Sequence, residues 1–189
     1  RNYMAIIYLD ENKENISPLT KVRALASIPV GGSYRIIDFS LSNVVNAGIR
    51  NVGLFCGNEE LNSLTDHIGM GAEWDLARKK DGIFIFKQML DSNFSLNQSR
   101  IRKNMEYFFR STQKNIVVLN AHMIYNLDIA DLIEKHEASG KEITMVYKKV
   151  KKANEHFNHC SSVKIDENNR VIGIGQNLFF KEVNAEGGI

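Results

Sequence analysis

The chain has 189 residues, enough for one domain with a sizeable core. Apolar residues make up 43% and charged residues 24%, and two prolines exclude a Pro-rich linker. A net charge of +2 is too small to imply nucleic acid or a membrane surface, and no apolar run approaches membrane-spanning length.

No signal peptide is evident, so a cytoplasmic protein is expected. Cys56 and Cys160 match no metal or redox spacing and read as reduced thiols, with Cys56 packing as a small hydrophobe. The missing initiator Met and the end at Gly187-Gly188-Ile189 read as trimming of a longer protein.

In chain order, residues 3–9 form a continuous apolar run, as do Val52 to Cys56, Ile83 to Phe86 and Ile116 to Leu119. Such runs suit parallel strands buried on both faces. Between them lie helical patterns. The first aligns Ile36, Ile37, Leu41, Val44 and Val45 and ends at Ala47-Gly48. Others cover about Glu59 to His67 and Gln98 to Ser111, the latter with Ile101, Met105 and Phe108 aligned. The fourth runs from Ile129 to Ala138, capped by Asp128 and stopped before Gly140. Strand-like runs follow at Ile143 to Lys148 and Ser162 to Ile165, and Asp166 to Asn169 reads as a hairpin turn into Arg170 to Ile174. The alternation predicts an α/β domain, a mostly parallel sheet covered by helices, ending in a short antiparallel pattern. In such sheets ligands bind beyond the carboxyl ends of the strands, so the loops after Leu9 and Leu119 matter most.

Residues 29–50 read Pro-Val-Gly-Gly-Ser-Tyr-Arg-Ile-Ile-Asp-Phe-Ser-Leu-Ser-Asn-Val-Val-Asn-Ala-Gly-Ile-Arg. From the residues alone, Gly31-Gly32 allows backbone angles closed to other residues or a close chain approach, and Arg35 and Asp38 could pair on one helix face. The segment resembles Pro-Phe-Gly-Gly-Lys-Tyr-Arg-Ile-Ile-Asp-Phe-Pro-Leu-Ser-Asn of bacterial glucose-1-phosphate adenylyltransferases (ADP-glucose pyrophosphorylases). His67 to Gly71, Trp74 to Leu76 and Ile124 to Asp128 are similar to further stretches of that family in the same order. The resemblance implies a Rossmann-like nucleotidyltransferase domain over residues 1–189, glycogen synthesis, a tetrameric assembly, and a C-terminal β-helix domain absent from this chain.

A nucleotidyltransferase needs close backbone approach to phosphates, cationic charge and a carboxylate-held metal. The family's loop after the first strand reads roughly Gly-Gly-x-Gly-x-Arg-Leu-x-x-Leu-Thr. Here it is Asp10-Glu11-Asn12-Lys13-Glu14-Asn15-Ile16-Ser17-Pro18-Leu19-Thr20, with every glycine and the arginine gone. Side chains of Asp10, Asn12, Lys13 and Asn15 occupy the place of phosphate-binding amides. Asp10, Glu11 and Glu14 would repel a triphosphate, by on the order of a kcal/mol each. The family's Lys-Pro pair aligns with Leu25-Ala26, and its magnesium-binding Asp with His122. Neutral imidazole is a poor ligand for magnesium. Asn97 to Arg100 replaces the substrate segment Lys-Gly-Thr-Ala, and Gly175 to Leu178 replaces the sugar-phosphate motif Glu-Glu-Lys-Pro.

The resemblance is therefore to the regulatory (GlgD-type) subunit of the family. It implies no catalytic residue, metal or cofactor on this chain. The degenerate positions are Asp10, Asn12, Lys13, Asn15, Leu25 and His122. It also implies a catalytic ADP-glucose pyrophosphorylase subunit as partner, with magnesium held there. Two alternatives stand beside it: an active sugar-nucleotide pyrophosphorylase with an atypical site, and a sensor that weakly binds a sugar phosphate or nucleotide. Nucleic acid and membrane are not expected as partners. The lesser features read as structural. His156, His159 and Cys160 lack a fourth ligand, the lysines at 148–152 form a solvated strand end, and Phe108, Phe109, Phe179 and Phe180 are core or interface. Trp74 near Gly71 could line the family's sugar cleft, with packing the favoured role.

Overall fold

Tyr3–Tyr8 forms strand β1, and its central residues Met4, Ala5, Ile6 and Ile7 are at most 2% exposed. A strand with no polar face is stable only between two neighbours under two covered faces. The computed structural model, which describes residues 2–9, 17–20, 23–56, 62–87, 104–148 and 161–176, provides both. β1 pairs in parallel with β4 (Asn51–Cys56) on one side and β6 (Asn115–Asn120) on the other, and β4 pairs in parallel with β5 (Gly82–Lys87). The sheet order is β5-β4-β1-β6. The chain moves outward from β1 through β4 to β5 and returns to the other side of β1, so the order reverses between β1 and β6.

Between β1 and β4 run a short helix α1 (Ser17–Thr20), a 3₁₀ turn (Leu25–Ser27), a hairpin of β2 (Pro29–Val30) and β3 (Tyr34–Arg35), and helix α2 (Ile36–Asn46). The hairpin turns through Gly31 and Gly32 at φ of 60° and 97°. A Cβ on either would meet nothing within 4 Å, so the glycines serve the backbone angle and not a close chain approach. α2 buries Ile37, Leu41 and Val44 and gives way to Gly48 at φ 78°. Ile36 and Val45, aligned with that face by periodicity, are half-buried at its margin.

α2, α3 (Asn62–Ile68) and α5 (Ile129–Ser139) cover one sheet face, joining Tyr3, Ala5, Ile7, Val52, Leu54 and Leu119 in a single core. α4 (Met105–Arg110) covers part of the other face. There Tyr107 lies over Gly53, where a Cβ would stand 3.0 Å from its ring, and Phe108 meets Phe55 at 6.4 Å between centroids. Asp128 caps α5 as expected, its Oδ1 accepting from the Asp131 amide at 3.1 Å.

The structure departs from sequence expectation at four places. α4 begins at Met105 with Asn104 as its N-cap, so no single helix runs through Asn104 from Gln98, and residues 98–103 lie outside the described set. β6 is buried on one face only, because Ile116 and Val118 are 45% and 60% exposed. Residues 143–148 form no strand: Ile143 is 82% exposed, and no ladder among the described residues includes the segment. Arg35 and Asp38 do not pair through their side chains, since Arg35 is the N-cap of α2 and its guanidinium turns to Ser63 of α3.

The chain divides into two compact units, Arg1–Ser139 and Gly140–Ile189. In the second, β7 (Ser161–Ile165) and β8 (Val171–Gln176) form an antiparallel hairpin. Its turn is fixed by Asp166, whose Oδ1 accepts from the amides of Asn168 and Arg170, with Asn169 at φ 58°. Among the described residues no helix is long and apolar enough to cross a membrane.

Candidate functional site

In an open parallel sheet the crevice for ligands lies beyond the carboxyl ends of the strands where their order reverses. Here that point is between β1 and β6. Tyr8 and Asn120 are register partners, the Ala121 amide donates to the Tyr8 carbonyl at 3.0 Å, and the Leu9 amide donates to the Phe55 carbonyl at 2.9 Å. The two loops singled out from the sequence therefore leave adjacent strands at this boundary. β6 runs one residue further than its apolar run, so the second loop opens at Ala121, which is buried.

Asp10, Asn12, Lys13 and Asn15 lie outside the described residues. Leu25 is placed, and it is 9% exposed in the 3₁₀ turn beside fully buried Ala26 and Ser27. The Ser27 hydroxyl closes the turn on the Ala24 carbonyl at 2.8 Å. The turn packs under α2 and α3, and an apolar residue suits it. His122 stands at the surface of the loop after β6. Enough of its ring rests on protein that desolvation holds its pKa below the ordinary histidine value, so at neutral pH it is the uncharged imidazole. A hard divalent cation such as magnesium prefers carboxylate oxygens, which the His122 imidazole does not supply.

The polar groups around the sequence motifs form a brace. The buried Asp38 accepts from the Arg35 amide through Oδ2 at 2.8 Å, and its Oδ1 lies 2.7 Å from Nε2 of His67 on α3. Trp74, in the 3₁₀ turn Ala72–Trp74, meets the His67 ring edge-on at 6.0 Å, which is a packing role as expected. Asn43 of α2 donates to the Tyr125 carbonyl at 2.9 Å, tying α2 to the loop that carries His122. The motif residues were visible in the sequence. Their pairing across 29 positions was not, because no local period links α2 to α3.

Cys56, the last residue of β4, is 3% exposed, and burial pushes its thiol up to about 12. At pH 8 its thiolate fraction should be roughly a thousandfold below that of a free cysteine. Iodoacetamide should leave Cys56 unmodified in peptide maps of the native protein and label it fully after denaturation. Labelling at a free-cysteine rate in native buffer would show the strand end to be open. Cys160, His156, His159, Phe179 and Phe180 lie outside the described residues, as do the substitutions at 97–100 and at 177–178. Gly175 and Gln176 sit in β8. Phe108 is half-buried, whereas Phe109 is 79% exposed.

The sequence pattern of a family described as nucleotidyl transferase matches residues 14–174. A Bacillus subtilis (strain 168) protein named glycogen biosynthesis protein GlgD is 41% identical over 140 residues, covering 71% of this chain and 40% of the relative. A Geobacillus stearothermophilus protein of the same name is 37% identical over 138 residues, covering 70% and 40%. A glucose-1-phosphate adenylyltransferase of Pseudothermotoga lettingae is 32% identical over 148 residues, covering 77% and 35%. The chain thus spans 40% or less of the length of these curated relatives. Among solved structures, a Bacillus anthracis chain assigned as a glucose-1-phosphate thymidylyltransferase, in complex with sucrose, superposes with a TM-score of 0.64. It is 18% identical, with 92% of this chain and 64% of that chain covered, and this likeness bears on the fold alone.

Proposed function

Because this chain belongs to the nucleotidyl transferase family, we propose that it is the nucleotidyltransferase-like part of a non-catalytic regulatory subunit of glucose-1-phosphate adenylyltransferase. In this reading it tunes a catalytic homologue that makes ADP-glucose from ATP and glucose 1-phosphate in glycogen biosynthesis. The observation that carries it is Leu25. Where the active family's pattern has a lysine, this chain buries a leucine in a closed turn under α2 and α3. In the sequence before that turn the phosphate loop lacks its glycines and arginine, and His122 aligns with the magnesium position. The names of the two relatives at 37–41% identity agree with a place in glycogen biosynthesis. Magnesium belongs to the partner's site in this reading, and no step here passes through it.

The test uses the complete protein. Alone, with ATP, glucose 1-phosphate and magnesium, it should form no detectable ADP-glucose, and His122→Asp should restore none, since the loop amides remain missing. Mixed with its catalytic homologue, it should co-elute and raise kcat or lower KM. A tenfold shift in apparent affinity needs only about 1.4 kcal/mol of differential contact. Turnover by the isolated protein that His122→Ala abolishes would return it to the enzymes. Failure both to co-elute and to change the kinetics would favour the sugar-phosphate or nucleotide sensor.

A further inference from the structure

The outer face of β5, the first residue of β4 and helix α4 line a half-open cavity of about 440 Å³. Asn51 at its wall begins β4, whereas the candidate site lies beyond the carboxyl ends of the strands, so the cavity is separate from that site. Its volume falls in the range of small-molecule sites.

Three aromatic rings line it. Phe84 and Phe86 alternate on β5 with near-parallel rings, 21° between planes, and Tyr107 of α4 meets them at 5.3 and 4.8 Å. Phe84 remains 41% exposed, although Phe55 on the same face of β4 is fully buried. The wall behind the rings is tied together by hydrogen bonds. The Tyr107 hydroxyl donates to Asn51 Oδ1 at 2.8 Å, and the Asn51 amide donates to Ser111 Oγ at 3.1 Å and Gln113 Oε1 at 2.8 Å. Burial pushes the Tyr107 phenol far above its ordinary value, so it stays a neutral donor. At the rim the charges are unequally engaged. Arg110 pairs with Glu106 at 2.7 Å, and Asp81 accepts from Gln113 at 3.2 Å. Lys80, also at the rim, has neither an ion pair nor a hydrogen bond among the described residues.

We propose that this cavity is a second ligand site, taking a flat aromatic ring system that carries one acidic group. The ring lies on the free face of Phe84, against side chains already locked in place, and the acidic group meets Lys80. Preorganised apolar walls with one charge unengaged among the described residues suit such recognition. The proposal does not depend on whether the chain is catalytic.

The test titrates the complete protein with naphthalene-1-sulfonate and with its uncharged counterpart, 1-naphthalenemethanol, by ligand-observed NMR. Saturable sulfonate binding with a Kd of about 1 mM or tighter is expected. Phe84→Ser should weaken both probes by about tenfold or more, and Lys80→Ala should weaken the sulfonate about fivefold while sparing the alcohol. Tyr34→Ser, which removes a 62% exposed aromatic on β3, should change neither. Far-UV circular dichroism confirms that each variant folds, and Lys80→Ala, a surface change, keeps the test decisive if Phe84→Ser does not. Absence of saturable binding, unchanged affinity in a folded Phe84→Ser, or equal loss of both probes in Lys80→Ala overturns the proposal. So does a wild-type dimer that Phe84→Ser dissociates, since a second copy would then cover the rings.

Discussion

Gly82→Ala should lower stability by about 3 kcal/mol and the midpoint of thermal unfolding by roughly 6–12 °C. Gly82 is the buried first residue of β5 and holds φ at 109°, a conformation that L side chains rarely adopt. A Cβ there would stand 2.8 Å from the Leu76 carbonyl oxygen. That oxygen cannot swing aside cheaply, because it accepts from the Arg78 amide at 2.9 Å and the Leu76 side chain is 1% exposed in the core. Moving Gly82 instead would break its own 2.7 Å hydrogen bond to the Arg50 carbonyl and the start of the β4–β5 ladder. Gly31→Ala is the internal comparison. It too demands a positive φ, but its Cβ meets nothing, so only the backbone cost of about 1 kcal/mol applies. Urea unfolding of both variants decides the matter, and equal losses would mean that the contact with Leu76 relaxes freely.

The contrast between these glycines marks what could be read from the chain. Gly31-Gly32 lies in a motif, and the pair suggested either unusual backbone angles or a close chain approach, of which the structure shows the first. Gly82 follows Lys79-Lys80-Asp81, lies in no motif, and is made critical by a carbonyl brought against it by the loop from Leu76. Central strands were legible because burial on both faces leaves unbroken apolar runs, as in β1 and β4. β6 has the same run but only one covered face, which composition cannot reveal. Residues 143–148 show the converse, since they carry strand propensity yet enter no ladder among the described residues. Leu25 was singled out from the sequence by resemblance alone, and the structure added that it is enclosed in a turn under α2 and α3. The cavity beside Phe84 was invisible, because its rings come from β5 and from α4, more than twenty positions apart.

Asp38→Ala should destabilise the chain by about 2–4 kcal/mol, although the Asp38 carboxylate forms no ion pair with the Arg35 guanidinium, the partner that its spacing suggests. The carboxylate has two separate tasks. Through Oδ2 it satisfies the Arg35 amide, one of the helix-start donors of α2, which is worth about 1 kcal/mol. Through Oδ1 it holds His67, and a hydrogen bond to a charged group contributes about 1.5–3 kcal/mol. With Asp38 7% exposed and the His67 side chain 20% exposed, water replaces neither bond fully. His67→Ala alone should cost less, because Asp38 keeps the Arg35 amide and Trp74 loses only an edge contact. The double variant should therefore be more stable than the sum of the single losses predicts, with a coupling of about 1–2 kcal/mol. Asp38→Asn, which retains an acceptor for one of the two donors, should fall between wild type and Asp38→Ala. Strict additivity in the cycle would mean that α2 and α3 are joined by Arg35 and Ser63 alone, and that the Asp38–His67 contact is an accident of packing.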